Sequence, residues 1–263
     1  MTQVCPVHPA RPIRPVMPVR QVKQIRPVKP VCPVQPNSPV KPVCRARPTR
    51  PARQKSCPSG HGNTSGVPMT EAGAGPVPGP DGLARCPWAL GAADYLSYHD
   101  EEWGRPVRDD VGIFERLSLE AFQSGLSWLT ILRKRENFRA AFRGFDLEKV
   151  AEFGAGDEER LLADAGIVRN RAKIEAVIRN ARAALAIPGG LAELVWHYAE
   201  PPAHPPATTA DIPAWTPASK ACAGELRRLG FTFTGPVTVY AALQACGVVD
   251  DHLSGCFRRG AYS

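Results

Sequence analysis

The chain has 263 residues and a formal net charge of +8, which is spread unevenly along it. Residues 1–70 contain 12 Lys and Arg residues and no Asp or Glu, whereas residues 71–263 contain 21 basic and 25 acidic residues. The positive charge therefore belongs to the N-terminal segment, and charge alone does not indicate that the rest of the chain binds nucleic acid. No apolar run reaches the roughly 18 residues that a bilayer span requires, which excludes an integral membrane protein.

The N-terminus and the cysteines indicate a cytoplasmic protein. Prolines interrupt the first residues throughout, so that no signal-peptide core is present there. In a reducing compartment, cysteine more often binds a metal or fills the core than forms a disulfide. Four of the eight cysteines lie beyond residue 80 and are candidates for these two roles: Cys86, Cys222, Cys246 and Cys256.

Residues 1–80 are predicted to form a disordered, basic, proline-rich tail. Proline recurs at every third position over residues 6–18, 27–42 and 48–51, which is the period of the polyproline II helix. Because proline blocks helices and sheets, this composition cannot build a packed core. The tail is interpreted as a segment without a specific partner, as a PxxP ligand or basic arm that attracts DNA, or as an over-long reading frame with Met69 as the alternative start.

Residues 81–263 are predicted to form one all-α domain, because apolar residues recur there with a period near 3.6. The longest such segments are DDVGIFERLSLEAF, SWLTILRKRENFRAAF and RAKIEAVIRNARAALAI, which begin at Asp109, Ser127 and Arg171. Asp109 and Ser127 suit the N-cap position, where a side-chain oxygen accepts a hydrogen bond from a free backbone N–H. Shorter helices are expected at residues 146–153, 157–165, 218–230, 236–247 and 248–257, and FTFTG at 231–235 is a candidate strand.

Two pairs of Cys and His residues at the ends of the domain have a spacing that suits a metal. Cys86 and His99 are separated by twelve residues, and His252 and Cys256 by three. Residues i and i+4 lie on one face of a helix, so the second pair is expected to reach one ion. Two Cys and two His form a tetrahedral zinc set, which would tie the N-terminal end of the domain to a C-terminal helix. The alternative is that these residues fill the core without a metal.

The segment LLADAGIVRNRAKIEAVI, residues 161–178, resembles the helix-hairpin-helix element of DNA repair proteins. Such a turn directs backbone N–H groups at a DNA phosphate from a helix N-terminus. The residues expected to contact DNA here are Gly166, Ile167, Arg169, Arg171 and Lys173. Val168 stands where the usual pattern has a second glycine, and an ordinary αα-hairpin with solvated basic residues is the alternative.

A carboxylate and several aromatic rings fall in two short segments. LSLEAFQSGLSW, residues 117–128, places Glu120 among apolar residues, shortly before a helix break at Ser124 and Gly125. Burial there would raise the pKa of the carboxyl, and a Glu on the solvated face is the alternative. The nearby rings exceed what routine core filling needs: Trp88, Tyr95, Tyr98, Trp103 and Trp128. Flat rings with a hydrogen-bond acceptor suit a base that has been flipped out of a DNA helix.

These motifs together resemble the type-I 3-methyladenine DNA glycosylase family, a part of the helix-hairpin-helix superfamily, over nearly all of residues 85–258. The segments that carry the resemblance are RCPW, YLSYHDEEWG, LSLEAFQSGLSW, LRKRENFRAAF, DAGIVRNRAKI, QACGVVDDH and the terminal H-x-x-x-C. The resemblance implies a helix-hairpin-helix fold and excision of 3-methyladenine from alkylated double-stranded DNA by a monofunctional enzyme. The protein is expected to be monomeric. Residues 1–80 lie outside the resemblance.

The resemblance also implies roles for single residues. One structural zinc ion would be bound by Cys86, His99, His252 and Cys256. Glu120 corresponds to the pocket glutamate, and the ring positions of the pocket fall on Trp128, Tyr98, Tyr95, Trp88 and Trp103. Gly125 and Leu126 correspond to a loop whose apolar residue enters the gap in the duplex.

The chemistry that the resemblance implies suits these residues. N3-methylation makes adenine cationic and a good leaving group, so the enzyme must extrude the base, hold it and let water attack the sugar. A cation over Trp128 would gain about 0.5–2 kcal/mol, and Glu120 would accept a hydrogen bond from the exocyclic amine and offset the positive charge. The alternative is a catalytically inactive DNA-binding or zinc-stapled interaction protein, against which the intact Glu120, Tyr98 and Trp128 argue.

Overall fold

The computed structural model describes residues 73–200 and 204–262, and the structural statements below concern this part of the chain. Most of the predicted proline-rich tail, together with the alternative start at Met69, lies outside the described residues.

The regular secondary structure of the described residues is almost entirely α-helical, as predicted. The helices are α1 (Ala93–Glu101), α2 (Asp110–Gln123), α3 (Trp128–Ala141), α4 (Leu147–Ala151), α5 (Ala155–Ala163), α6 (Arg171–Leu185), α7 (Leu191–Trp196), α8 (Pro217–Arg228) and α9 (Pro236–Ala245). Short 3₁₀ turns lie at Pro87–Gly91, Arg143–Phe145 and Thr209–Asp211. None of the helices in this part of the chain combines the length and the apolar character that crossing a bilayer demands.

The long helices begin at the predicted N-caps. The carboxylate of Asp109 accepts a hydrogen bond from the Gly112 N–H at 2.7 Å, and α2 starts at the next residue. Ser127 Oγ accepts from the Thr130 N–H at 3.3 Å and caps α3 in the same way. These contacts satisfy backbone donors that the first turn of a helix leaves free, which explains why both boundaries are encoded locally.

Two predictions about the C-terminal part are wrong. Residues 248–257 form turns rather than a helix, because the Asp250 carboxylate accepts a hydrogen bond from the His252 N–H at 3.1 Å and competes with helical pairing. The candidate strand at 231–235 is unpaired. The strands of the described part are instead β1 (Val77–Pro78) and β2 (Ala84–Arg85), which pair antiparallel.

The folded part of the chain starts before the predicted boundary at residue 81. Ala74 O accepts a hydrogen bond from the Thr209 N–H at 3.1 Å, and the Gly79 N–H donates to Leu83 O at 2.8 Å. Residues 73–80 therefore belong to the folded domain, although the sequence analysis assigns them to the end of the tail.

Helix α2 lies at the centre of the core and packs against α3, α6, α7 and α9. A cluster of fully buried phenylalanines surrounds its two ends: Phe114, Phe122, Phe138, Phe142 and Phe145. Rings in contact confer rigidity, since a packed interior tolerates little displacement. A side chain on the remaining face of α2 is thus held in a fixed position, and Glu120 lies on that face.

Candidate active site and metal centre

A cavity of about 360 Å³ opens beside α2. Its walls come from the 3₁₀ turn at Pro87–Gly91, from α1 and the residues after it, from α2, from the start of α3 and from α9. The lining residues are Trp88, Tyr95, Tyr98, Trp103, Glu120, Gln123, Trp128, Ala241 and Gln244. The cavity therefore brings together all six of the predicted pocket residues, which are spread over two distant motifs in the sequence.

The aromatic rings of the cavity hold one another in place. The Trp88 ring meets Tyr95 edge-on at a centroid distance of 5.9 Å and Trp103 edge-on at 5.2 Å. The Tyr98 and Trp128 rings lie 5.5 Å apart and are tilted by 49°. Such contacts add roughly 0.5–1.5 kcal/mol per pair beyond area burial. The rings form an aromatic wall of the cavity, and their mutual contacts hold this wall in place.

Polar contacts join α3 to α1 and to the residue that follows α1. The Leu129 N–H donates to the Tyr95 hydroxyl at 3.0 Å, which satisfies a free donor in the first turn of α3. Further along the same seam, the Arg135 guanidinium donates to both carboxylate oxygens of Glu102, at 2.5 and 2.8 Å. A bidentate pair fixes geometry as well as distance, so α3 is held in a defined position relative to α1, which carries Tyr95 and Tyr98.

Glu120 is the acidic group of the cavity. Its side chain is 8 % exposed, and burial raises the pKa of its carboxyl to about 8. Among the described residues, none donates a hydrogen bond to this carboxylate. Burial also raises the pKa of the Tyr98 hydroxyl, with a smaller contribution from the charge of Glu120. A cation in the cavity would lower the pKa of the Glu120 carboxyl again, because a nearby positive charge favours the ionised carboxylate.

A tight turn between α2 and α3 carries the predicted wedge residue. Gly125 has φ +83°, in the left-handed region that glycine enters without strain. The turn is closed by the Leu126 N–H donating to Gln123 O at 2.7 Å and by the Gln123 side-chain amide donating to Leu126 O at 2.9 Å. Leu126 is 40 % exposed and lies in sequence between Gln123 and Trp128, which both line the cavity.

Lys173 does not fit the prediction that its side chain binds a DNA phosphate. The side chain is buried, and its ammonium group donates to Phe122 O at 2.9 Å and to Ser124 O at 2.7 Å. Burial lowers the pKa of this group. These carbonyls belong to the C-terminal end of α2, where a positive charge is favourable. Lys173 therefore fastens the N-terminus of α6 to the turn that carries Leu126.

The predicted hairpin forms between α5 and α6, but its turn differs from the expected phosphate site. The Gly166 N–H donates to the Asp164 carboxylate at 2.7 Å, so this donor is already satisfied within the chain. Ile167 is buried in the core. Arg169 and Arg171 are exposed, and Arg171 lies 3.6 Å from Glu158 in a solvent-exposed ion pair. The two arginines remain available to an anion, whereas Gly166 and Ile167 shape the turn.

The four predicted metal ligands come together in one buried cluster. The ligand atoms of Cys86, His99, His252 and Cys256 all lie within 4.8 Å of one another. The Cys256 sulfur lies 3.4 Å from His99 Nε2 and 3.7 Å from His252 Nδ1, and the Cys86 sulfur lies 3.9 Å from His252 Nδ1. Tetrahedral zinc with ordinary bond lengths separates sulfur and nitrogen ligands by about 3.5 Å. The spacing of the cluster thus matches this ion, although the second pair comes from a turn rather than a helix.

The surroundings of the cluster orient both imidazoles toward its centre. His99 Nδ1–H donates to the Asp100 carboxylate at 2.8 Å, which leaves Nε2 facing Cys256. His252 Nε2–H donates to Trp103 O at 3.3 Å, which leaves Nδ1 facing the cysteines. Partners of this kind are typical of metal-binding histidines. Contact with the Cys86 thiol, and then with the imidazoles, lowers the pKa of the Cys256 thiol, which favours the thiolate that a metal binds.

Comparison with known proteins identifies the family. The model of the methyladenine glycosylase family matches residues 88–259, which is more than half of the chain. The chain belongs to the methyladenine glycosylase family. It is 44 % identical over 179 residues to DNA-3-methyladenine glycosylase 1 of Escherichia coli K12, covering 66 % of this chain and 96 % of that protein. It is 40 % identical over 177 residues to DNA-3-methyladenine glycosylase of Haemophilus influenzae, covering 65 % and 96 %.

Solved structures of methyladenine glycosylases share the fold. A crystal structure of 3-methyladenine DNA glycosylase I matches with a TM-score of 0.64 and 45 % identity, over 66 % of this chain and 99 % of that one. A tyrosine-to-phenylalanine variant of such an enzyme, in complex with 3-methyladenine, matches with a TM-score of 0.63 and 35 % identity, over 66 % and 97 %. The predicted family resemblance is confirmed.

The cavity of this methyladenine glycosylase family member contains three residues that the sequence alone does not single out. Gln123 ends α2, and Ala241 and Gln244 lie one turn apart on α9. The helical period of α9 puts the latter two on one face. That α9 crosses α2 beside Glu120 depends on long-range packing, for which the local pattern holds no signal.

Replacing Lys173 with Met is expected to lower the free energy of unfolding by about 2–3 kcal/mol, because two carbonyls lose a charged donor. The turn that carries Leu126 should loosen at the same time. Urea unfolding measures the loss. Lys149→Met is the matched control: Lys149 pairs with Asp146 on the surface, so its loss should cost under about 0.5 kcal/mol. Equal stability of the two variants would contradict the bridging role of Lys173.

Proposed function

We propose that the protein hydrolyses the N-glycosidic bond of 3-methyladenine in alkylated double-stranded DNA. The observation that carries the proposal is the cavity in which five aromatic rings surround the buried carboxyl of Glu120. The names of the relatives and the 3-methyladenine complex of a structural neighbour support the same activity. The cytoplasmic location and the monomeric state stay predictions.

The cavity suits a cationic purine. Methylation at N3 leaves the base positively charged, and the ring faces of Trp128 and Tyr98 attract a cation by roughly 0.5–2 kcal/mol. The same charge lowers the pKa of the Glu120 carboxyl, so that base binding and ionisation of Glu120 favour each other. We assign Glu120 the role of holding the base through its exocyclic amine and balancing its charge, since the base departs without prior protonation.

The reaction that follows needs little chemistry from the protein. Water attacks C1′ of the sugar, the C1′–N9 bond breaks, and its electron pair neutralises the departing methylated base. The attacking water becomes the C1′ hydroxyl and loses one proton to solvent. The lining residues of the cavity include no lysine within the described part of the chain, and therefore offer no amine to form a covalent intermediate. A monofunctional glycosylase, with water as the nucleophile, accords with this lining.

DNA is proposed to bind where the turn of Leu126 and the N-terminus of α6 meet. Leu126 would fill the space that the extruded base leaves, as apolar wedges do in bent duplexes. Arg169 and Arg171 would contact phosphates, together with the Arg171 and Ala172 N–H groups, which have no acceptor among the described residues. This arrangement explains DNA binding by a domain that carries more acidic than basic residues, because only a few phosphates are held.

The double variant Arg169→Ala, Arg171→Ala is expected to weaken binding to undamaged duplex DNA about tenfold at low salt. The slope of log affinity against log salt concentration should fall by roughly 1.8, since each phosphate contact contributes about 0.9. Fluorescence anisotropy over a salt series measures both quantities. Arg228→Ala, at an exposed position of α8, should leave the slope unchanged; a loss equal to that of the double variant would locate the DNA elsewhere.

We further propose that Cys86, His99, His252 and Cys256 bind one structural zinc ion. The cluster offers two sulfur and two nitrogen ligands with no open position, which is typical of structural rather than catalytic zinc. The ion would join the segment before α1 to the chain after α9, behind the aromatic wall of the cavity.

The test of the proposed activity is incubation of the purified protein with methylated DNA and chromatography of the released bases. Release of 3-methyladenine is expected. DNA binding without release would favour the alternative, a catalytically inactive DNA-binding or interaction protein.

A further inference from the structure

Gln244 lines the cavity, and one pole of its side-chain amide is held by a residue outside the cavity. Its Nε2 donates to the Asp251 carboxylate at 2.7 Å, and the Tyr240 hydroxyl donates to the same carboxylate oxygen. Asp251 is 5 % exposed. A carboxylate only accepts hydrogen bonds, so the amide cannot turn around without placing two acceptors against each other. Gln244 Oε1 is thereby left as the free pole, and it receives no donor among the described residues.

This oxygen adds a second acceptor to a cavity that already holds a carboxylate. Gln244 and Ala241 lie on the face of α9 that lines the cavity, and α9 packs against α2, which carries Glu120. The other glutamine of the cavity, Gln123, donates a hydrogen bond from its side-chain amide to Leu126 O in the exposed turn. Glu120 and Gln244 therefore give the cavity two acceptors, beside the hydroxyl and indole N–H donors of its rings, and these two acceptors favour a ligand that carries N–H donors.

We propose that Gln244 is a specificity-determining residue, whose Oε1 accepts a hydrogen bond from the amino group at C6 of the bound purine. The inference rests on the proposed function and deepens it. A 6-amino group has two N–H donors, and the cavity offers one acceptor to each, from Gln244 and Glu120. A 6-oxo purine would place its own acceptor against them and leave buried polar groups unpaired. The cavity should thus select methylated adenine over methylated guanine.

Asp251 and Tyr240 are positioning residues in this scheme. Neither lines the cavity. Tyr240 holds the carboxylate of Asp251, and this carboxylate fixes which end of the Gln244 amide faces the base. The discrimination between purines therefore depends on side chains that do not touch the base.

The experiment compares release of 3-methyladenine and 3-methylguanine from the same methylated duplex under single-turnover conditions. Gln244→Met keeps the length of the side chain and removes the fixed oxygen. We expect the rate for 3-methyladenine to fall about tenfold while that for 3-methylguanine changes little, so that the preference narrows about tenfold. The proposal would be overturned if the ratio of the two release rates stayed unchanged, either because both rates fell by the same factor or because neither fell.

Two further variants separate specificity from general damage to the cavity. Gln123→Met is the matched control, since Gln123 lines the same cavity but holds the turn of Leu126; both rates should fall together and the preference should persist. Tyr240→Phe leaves Asp251 with one donor fewer, and the preference should narrow by a smaller factor than in Gln244→Met. If Tyr240→Phe left the preference for 3-methyladenine over 3-methylguanine unchanged, Tyr240 would have no positioning role.

Binding of the free bases keeps this inference distinct from the proposed function. If the wild-type protein releases neither base, the proposed activity fails, and titration with 3-methyladenine and 3-methylguanine, followed by tryptophan fluorescence, decides the inference alone. Tighter binding of 3-methyladenine by the wild type, lost in Gln244→Met, would support it. Equal affinities in the wild type would overturn it.

Discussion

Replacing Glu120 with Ala is expected to slow release of 3-methyladenine from methylated DNA by about 10- to 100-fold, with the fold intact. The carboxylate would supply a charge-assisted hydrogen bond to the base, and such bonds contribute roughly 1.5–3 kcal/mol. Single-turnover release measures the loss. Glu120→Gln should retain part of the rate, because it keeps an acceptor oxygen while losing the negative charge. Full activity in the Ala variant would remove Glu120 from the mechanism.

The Gln variant should also be more stable than the wild type, by an amount that depends on pH. Burial raises the pKa of the Glu120 carboxyl from 4.5 to about 8, so between these values the folded state binds more protons than the unfolded state. The stability of the wild type therefore falls as pH rises through this window. Because one pKa unit corresponds to about 1.4 kcal/mol, Glu120→Gln should gain roughly 1–3 kcal/mol at pH 8 and little at pH 4.5.

Thermal unfolding of both proteins at several pH values tests this expectation. Glu136→Gln is the control, since Glu136 is an exposed residue of α3 and its replacement should give no comparable gain at pH 8. A gain for Glu120→Gln that is the same at pH 4.5 and pH 8 would contradict a buried, titrating carboxyl. Lower activity combined with higher stability in one variant is typical of residues that a protein retains for function.

Local signals explain why much of the fold could be predicted from the sequence. Asp109 and Ser127 cap their helices through contacts that span three residues, so the sequence near each boundary contains the whole interaction. The aromatic residues of the cavity could also be predicted, because a short segment contains more of them than core packing requires. The segment at 248–257 was mistaken for a helix because the apolar spacing ignores the Asp250 side chain, which bonds to the backbone.

Contacts between distant segments account for what could not be predicted. Lys173 reaches the end of α2 across about fifty positions of sequence, and nothing near it distinguishes a buried lysine from a phosphate ligand. Gln244 enters the cavity only because α9 crosses α2. Spacing and apolar neighbours singled out the four Cys and His residues and Glu120, and the family resemblance implied their roles, whereas the proposed role of Gln244 required the hydrogen-bond geometry of its amide.

Loss of the proposed zinc ion is expected to have the largest effect on stability. Purified protein should contain one zinc ion per chain by elemental analysis, and Cys86→Ser should abolish it. Without the ion, two imidazoles and two sulfurs stay buried with no metal to bind. We therefore expect the free energy of unfolding to fall by at least about 3 kcal/mol. For a domain of this size that corresponds to a fall in melting temperature of roughly 10 °C. Chelation should reproduce the fall in the wild type and add little in the variant.

Cys222→Ser is the matched control for this effect, because Cys222 is equally buried in the main core but lies outside the cluster. It should lose some stability through its buried hydroxyl and keep its full zinc content. The cluster also packs against two tryptophans that line the cavity: the His99 ring lies 5.2 Å from the Trp88 ring, and the His252 ring lies 4.6 Å from the Trp103 ring. Metal removal should therefore weaken binding of 3-methyladenine at temperatures where the fold persists, as the two tryptophans lose their support. A metal-free protein with unchanged melting temperature would show that the four ligands stabilise the domain by packing alone.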